Sequence, residues 1–101
     1  MFTKSIKTIL KSIIDRYGED FQVDRCIEEC SELIKALLKL RRYGEYIPSQ
    51  VSSLRKDIIE EIADVNIMIE QLKIIFDCEK EVLDVAEYKL DRQLERMKSG
   101  E

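Results

Sequence analysis

Helical periodicity, hardly interrupted by glycine or proline, is the feature that most constrains the fold of this chain. The 101 residues include only three Gly and one Pro, while 38% of the residues are charged and 45% are apolar. This composition is typical of long amphipathic helices rather than of a β-sandwich or a disordered segment. We therefore predict an all-α fold, with residues 1–101 forming a single helical domain.

Apolar residues at i, i+3, i+4 and i+7 spacing predict four helices, and the first two are the clearest. The first stripe predicts a helix over about residues 3 to 17, followed by Gly18, where a helix commonly ends. The second stripe predicts a helix over about residues 20 to 43, with basic residues in its last turn and Gly44 after it. Short connections of this kind favour a bundle of antiparallel helices.

The second half of the chain predicts a loop and two more helices. The loop runs from Gly44 to Ser53, with Ser52 or Ser53 as the N-cap of the third helix. The third helix is apolar on almost every side, so we expect it to be central and to need a second copy of the chain to cover it fully. The fourth helix is a more charged amphipathic stripe that begins after Asp77, its predicted N-cap.

Two acidic clusters interrupt the apolar pattern of the second and third helices. They are Glu28-Glu29-Cys30-Ser31-Glu32 and Glu61-Ile62-Ala63-Asp64. Residues three apart lie on one face of a helix, so Glu29 points with Glu32, and Glu61 points with Asp64. Glu61 also interrupts a stripe that would otherwise be core. We therefore expect both acid pairs to lean toward the interior.

Inward carboxylates need a counter-charge, because an ionised carboxylate removed from water without a partner costs at least several kcal/mol. The chain has no His, and its three Cys form no CxxC pair, so the ligands on offer are oxygens. Oxygen ligands favour Mg²⁺ or Mn²⁺, and Mg²⁺ commonly completes its shell with substrate phosphates. The sequence thus predicts a Mg²⁺ site and a phosphate-bearing substrate.

The alternative is that the acids lie on solvated helix faces and pair with neighbouring basic residues. Glu28 could pair with Arg25, and Glu32 could pair with Lys35 or Arg25. One isolated acid pair would favour this interpretation. Two inward pairs on successive antiparallel helices favour the metal site instead.

The two acidic clusters resemble the signature of the MazG-like, all-α nucleoside triphosphate pyrophosphohydrolases. In this chain the signature is Glu28-Glu29-x-x-Glu32 followed on the next helix by Glu61-x-x-Asp64. The similarity runs through residues 22 to 42 and 60 to 72. It implies a four-helix bundle completed by assembly into a homodimer or homotetramer. It also implies Mg²⁺-dependent cleavage of a nucleoside triphosphate into monophosphate and pyrophosphate by metal-activated water.

The resemblance also implies roles for particular residues. Glu28, the adjacent acid, would bind a second ion or would receive or orient the attacking water, and Lys89 and Arg92, one turn apart on the last helix, would bind substrate phosphates. The aromatic residues that stack on the base in some members have no match after the second cluster, where Asn66 and Met68 stand. The metal ligands implied are Glu29, Glu32, Glu61 and Asp64, the same four that the helical pattern selects.

Charge and hydropathy narrow the partners further. A net charge of −4 argues against duplex nucleic acid, because phosphate neutralisation needs a basic surface. No apolar run approaches the ~18 residues of a membrane span, so we expect a soluble, cytoplasmic protein. A di-iron carboxylate bundle would need Glu-x-x-His motifs, which this chain lacks. The remaining rival is a non-catalytic helical interaction module that binds a partner through the wide apolar surface of the third helix.

Overall fold

A computed structural model of the protein describes residues 4–43 and 51–100. Those residues form four helices and no strand, which confirms the all-α prediction. The helices are α1 Lys4–Tyr17, α2 Glu19–Tyr43, α3 Val51–Ile75 and α4 Glu79–Lys98.

Gly18 forms the junction between α1 and α2, as its position predicts. Its φ of +93° lies in the left-handed region that glycine adopts at little cost. Its amide donates to the Ile14 carbonyl at 2.8 Å, which closes α1. Its own carbonyl accepts the amide of Gln22 at 3.1 Å, so the same residue opens α2. The two helices are therefore joined with no intervening loop.

The predicted start of α3 is wrong. The helix already begins at Val51, so Ser52 and Ser53 lie in its first turn rather than at its N-cap. Leu54 and Ile58, four residues apart, are both half-buried, so the core-facing side of α3 reaches back into its first turn. Residues 44–50 of the predicted loop lie outside the described residues.

Asp77 ends α3 and does not cap α4, which corrects the prediction for this residue. Its φ is +48°, and its amide donates to the Ile74 carbonyl at 3.2 Å. The next amide, of Cys78, donates to the Lys73 carbonyl at 3.0 Å. This pair of bonds is the Schellman motif, in which a short polar residue such as Asp tolerates the left-handed conformation. Cys78 is the N-cap of α4 and makes no side-chain capping bond.

Helix α3 packs against α1 and α2 and touches α4, as its apolar circumference predicts. The helix nevertheless leaves one side open, because Ile59, Ile62 and Ile69 are exposed. The apolar core between α1, α2 and α3 consists of Leu10, Ile14, Cys26, Ala36, Val65 and Met68.

Helix α4 has no buried residue and contacts α3 less than either α1 or α2 does. At the first residue of α4, Glu79 forms an ion pair with Lys7 of α1 at 2.8 Å. The Cα radius of gyration is 17.2 Å, against about 13 Å for a compact chain of 100 residues, so the described chain is extended. No described helix has both the length and the apolar character needed to cross a membrane. Large apolar side chains left exposed on α4 are Val82, Leu83, Val85, Tyr88, Leu90, Leu94 and Met97.

Candidate metal centre

Three carboxylates from two helices meet where α2 packs on α3. Glu29, Glu61 and Asp64 each offer one oxygen, and these three oxygens lie within 4.8 Å of one another. Glu29 is three residues after buried Cys26 on α2, and Glu61 is four residues before buried Val65 on α3. Each acid is thus on the same side of its helix as a core residue, which brings the two clusters together.

Glu61 has the most unusual environment of the three. Its side chain is half-buried, and its Oε2 is enclosed with no hydrogen-bond partner. A buried carboxylate oxygen that accepts no hydrogen bond is costly, and native proteins seldom leave one so. A cation at this position would compensate for the missing donor.

The acid cluster is short of positive charge, and the pKa values of its members reflect this. Burial raises the pKa of Glu61, with further increases from the neighbouring charges of Asp64 and Glu32. Burial also raises the pKa of Glu29, as do Asp64 and Glu61, while Arg25 opposes them. Neighbouring carboxylates resist ionising together unless a cation joins them.

The fourth predicted ligand, Glu32, lies apart from this group of three. Its half-exposed side chain pairs with Lys35 at 3.4 Å, as the alternative interpretation expected. Arg25 pairs with Glu29 at 3.6 Å rather than with Glu28 or Glu32. The solvated-pair interpretation therefore describes Glu32, whereas it does not describe the enclosed oxygen of Glu61. Glu32 remains close enough to raise the pKa of that group.

The other predicted site residues are exposed. Glu28 lies on the outer side of α2, and Lys89 and Arg92 lie on α4. The Arg92 guanidinium sits 5.8 Å from the centre of the Tyr88 ring. None of the three lines the cleft beside the acids in the described part of the chain. Their catalytic and phosphate-binding roles stay predictions.

A cleft of about 420 Å³ opens beside the acid cluster, and Glu29 and Asp64 form part of its wall. Arg25 lines it too. Tyr17 and Phe21 contribute two half-exposed rings, stacked with their centres 5.9 Å apart and their planes at 27°. The sequence pattern did not single out these aromatic residues as ligands.

Two glutamines also line the cleft. Gln22 and Gln71 are 4% and 1% exposed, and Nε2 of Gln22 donates to Oε1 of Gln71 at 2.6 Å. The Nε2 of Gln71 is enclosed and has no partner. A sequence signal for this pair does exist: Gln22 precedes Cys26 by four residues, and Gln71 follows Met68 by three, so each amide interrupts a core stripe as Glu61 does.

The donor set fits a small hard cation. Mg²⁺ binds each oxygen at about 2.1 Å, so oxygens that share one ion lie no more than about 4.2 Å apart. The three carboxylate oxygens lie within 4.8 Å of one another, so rotation of their side chains can bring them to a common ion. All three are carboxylates, the ligand type that Mg²⁺ and Mn²⁺ favour.

No protein-family model matches the chain, and no curated protein or solved structure does so either.

Proposed function

We propose that this chain is a cytoplasmic, Mg²⁺-dependent pyrophosphohydrolase that cleaves a ribo- or deoxyribonucleoside triphosphate into monophosphate and pyrophosphate. The observation that carries the proposal is the enclosed, unpartnered Oε2 of Glu61 within a group of three carboxylates. Such a group needs a cation, and a Mg²⁺ ion held by few protein ligands takes phosphates as others. The reaction class comes from the resemblance of the two acidic clusters to the MazG-like signature.

Glu29, Glu61 and Asp64 would hold the ion, with Mn²⁺ as a substitute for Mg²⁺. Glu32 would join them by leaving Lys35, since an exposed pair with a 3.4 Å separation contributes little to stability. When bound, the ion supplies charge neutralisation at the phosphates and lowers the pKa of a coordinated water. Arg25, which lines the cleft, offers a positive group for a phosphate oxygen once Glu29 is engaged elsewhere.

The chemical step needs no nucleophilic side chain, which suits a chain without His. The water oxygen forms a bond to the α-phosphorus, and the bond from that phosphorus to the oxygen bridging the α and β positions breaks. Pyrophosphate leaves with the bridging oxygen. The proton of the water passes to a nearby carboxylate, and the resemblance assigns this role to Glu28.

Assembly into a homodimer or homotetramer belongs to the same proposal. The exposed apolar side chains of α4 form a surface that one chain leaves uncovered, and such surfaces commonly mark interfaces between proteins. Lys89 and Arg92 lie on that helix and do not line the cleft of their own chain. If a second copy packed on α4, these two residues would be able to reach the phosphates of the substrate bound in the second copy's cleft.

The test is pyrophosphate release from a panel of ribo- and deoxyribonucleoside triphosphates with Mg²⁺ or Mn²⁺. We expect release by the wild type, a loss of about 100-fold or more in Glu61→Gln, and near-normal activity in Glu60→Gln. Glu60→Gln is the matched control, because it removes the same charge from the adjacent, exposed residue. A folded Glu61→Gln protein with wild-type turnover would refute the site, and a wild type inactive on the whole panel would refute the activity.

The second candidate function is a non-catalytic interaction module, and the exposure of every residue on α4 is the observation that favours it. In that case the acids only keep the helix faces soluble. The module predicts neither metal-dependent cleavage nor stabilisation by Mg²⁺, whereas the enzyme predicts both.

A further inference from the structure

The cleft beside the acid cluster has features that the metal site does not use. It continues from Glu29 and Asp64 to the stacked rings of Tyr17 and Phe21, and Gln71 forms part of its lining. Its volume of about 420 Å³ falls within the usual range for small-molecule sites. One end is therefore anionic and suited to a cation, whereas the other end is aromatic and amide-lined.

The unpartnered amide of Gln71 is the observation that points to a ligand. Its side chain is 1% exposed, and its Oε1 is already engaged by Gln22 at 2.6 Å. Its Nε2 has no acceptor, although a buried amide N–H without one costs about 1–3 kcal/mol. Gln71 forms part of the cleft lining, and the bond from Gln22 to Oε1 holds the amide plane in place while Nε2 is left without an acceptor. A ligand that supplies an acceptor there would remove the cost.

The rings define the shape of that ligand. Tyr17 and Phe21 are each about half exposed, at 55% and 51%, so one face of the pair is open to a flat group. Aromatic side chains stack on nucleobases with useful affinity, since every base has a π-face. Every base also has a carbonyl oxygen or a ring nitrogen on its edge to accept the Gln71 N–H.

We infer that this cleft holds the base of the nucleoside triphosphate, stacked on the Tyr17 and Phe21 rings and hydrogen-bonded through an edge acceptor to Nε2 of Gln71. The inference rests on the proposed function for the identity of the ligand. The triphosphate then extends toward Glu29 and Asp64 at the other end of the cleft. Gln71 is a binding residue in this arrangement, and Gln22 positions it.

The first test measures base binding without phosphate or metal. The ¹⁵N-labelled full chain is titrated with uridine, cytidine, guanosine and adenosine in the presence of EDTA, and glutamine side-chain amide resonances are followed. We expect the Gln71 resonances to shift with at least one nucleoside, while those of Gln93, exposed on α4, stay in place. Gln71 resonances that do not move with any nucleoside overturn the inference, even if the protein cleaves triphosphates.

The second test separates recognition from structural support. Gln71→Met should lower kcat/KM for the preferred triphosphate about tenfold and flatten the preference among bases, with the Mg²⁺-induced rise in Tm unchanged. Gln93→Met is the matched control. If Gln71 only supports the fold, the double variant Gln22→Met/Gln71→Met, which removes both members of the pair, should recover wild-type kinetics, and that recovery overturns the inference. Kinetics that stay impaired in the double variant support it.

The two proposals fail separately. Nucleoside-induced shifts at Gln71 in a protein that cleaves no triphosphate would retain the base site and reject the pyrophosphohydrolase. Triphosphate cleavage with unmoved Gln71 resonances and unaltered kinetics in Gln71→Met would do the reverse.

Discussion

Acidic side chains have opposite environments in two regions of this molecule, the α2–α3 contact and helix α4. At the contact, the pKa values of Glu29 and Glu61 are raised by burial and by neighbouring carboxylates. At the start of α4, the hydrogen bond and charge of Lys7 lower the pKa of Glu79. The same residue type is thus short of positive charge in one region and supplied with it in the other.

The apolar side chains of the two regions differ in the opposite way, because they are satisfied by burial in the contact region and uncovered on α4. Leu10, Ile14 and Met68 are enclosed where α1, α2 and α3 meet, whereas Leu83 and Leu94 of α4 are more than half exposed. The contact region therefore buries apolar groups and crowds acids together, whereas α4 begins with an acid paired to Lys7 and leaves its apolar stripe uncovered. This difference is the reason that we propose a cation for the first region and a protein surface for the second.

Leucine truncation in each region gives the largest expected effect. Leu10→Ala should lower the free energy of unfolding by about 2–5 kcal/mol at every protein concentration, because it opens a cavity in the core. Leu94→Ala should leave dilute protein nearly unchanged and lower Tm only in concentrated samples, where copies associate. Chemical denaturation and thermal melting over a range of concentrations measure both effects.

A large, concentration-independent loss in Leu94→Ala would break the comparison, since it would mean that α4 is packed within one chain. No loss at any concentration would count against the proposed assembly through this helix. Size-exclusion chromatography of both variants provides the control for oligomeric state.

Magnesium should stabilise the contact region and have no specific effect on α4. At ten times its dissociation constant, a ligand bound only by the folded state adds about 1.4 kcal/mol to the free energy of unfolding. We expect this gain for the wild type and Glu60→Gln, and its loss in Glu61→Gln and Asp64→Asn. Thermal melting with Mg²⁺ against EDTA measures it. An equal gain in Glu87→Gln, an exposed acid on α4, is the expected control, whereas an equal gain in Glu61→Gln would argue that the ion binds elsewhere.

The fold and the meeting of the acids were predictable because both follow from helical periodicity. Glu61 lies four residues before Val65 and seven before Met68, so its inward position can be read from spacing alone. The grouping of Glu61 and Asp64 with Glu29 needed only the further assumption that successive helices pack antiparallel. Glu32 lies beside Glu29 on the surface of α2 and was harder to assign. A small rotation of α2 decides whether its side chain joins the acid cluster or pairs with Lys35.

Features that depend on several weak local preferences were not predictable. Asp77 is as suitable for an N-cap as for the left-handed end of a helix, and the hydrogen bonds that decide between these roles come from the residues before it. The exposure of α4 could not be read from its apolar stripe, because the same stripe suits burial in one chain or between two. Gln22 and Gln71 were missed since neutral amides draw less notice than charges in a core stripe.

The pH dependence of the stability of metal-free protein should distinguish the two regions by a smaller effect. Glu29 and Glu61 have folded-state pKa values above the ordinary 4.5, so between 4.5 and the raised pKa the folded state binds more protons than the unfolded state. Their favourable contribution to the free energy of unfolding is therefore complete below about pH 4.5, and it is lost as the pH rises through the raised pKa values. We expect Glu61→Gln in EDTA to gain stability relative to wild type over that interval, measured by urea denaturation at stepped pH.

Glu60→Gln is again the control, and it should show a smaller difference from wild type. A Glu61→Gln curve parallel to that of the wild type would mean that this carboxylate titrates normally and that the acid cluster is not strained. Adding Mg²⁺ at neutral pH should reverse the order of the two proteins, since the ion binds the ionised wild-type site.

The ion pair between Lys7 and Glu79 gives the smallest expected effect. Its contribution to stability depends on pH with the opposite sign to that of the acid cluster. Lys7→Gln should return the lowered pKa of Glu79 toward the ordinary 4.5, as followed by ¹³C NMR of the side-chain carboxyl, with little change in Tm because both groups are largely solvated. A lowered pKa contributes stability above the ordinary value and loses it as the pH falls through the folded value, so the variant should be less sensitive to acid. Lys39→Gln, a matching charge change on α2, should leave Glu79 unaltered. If Lys7→Gln also leaves the pKa of Glu79 unaltered, this ion pair does not hold the start of α4 to α1, and the contrast between Glu79 and the acid cluster does not come from a basic partner.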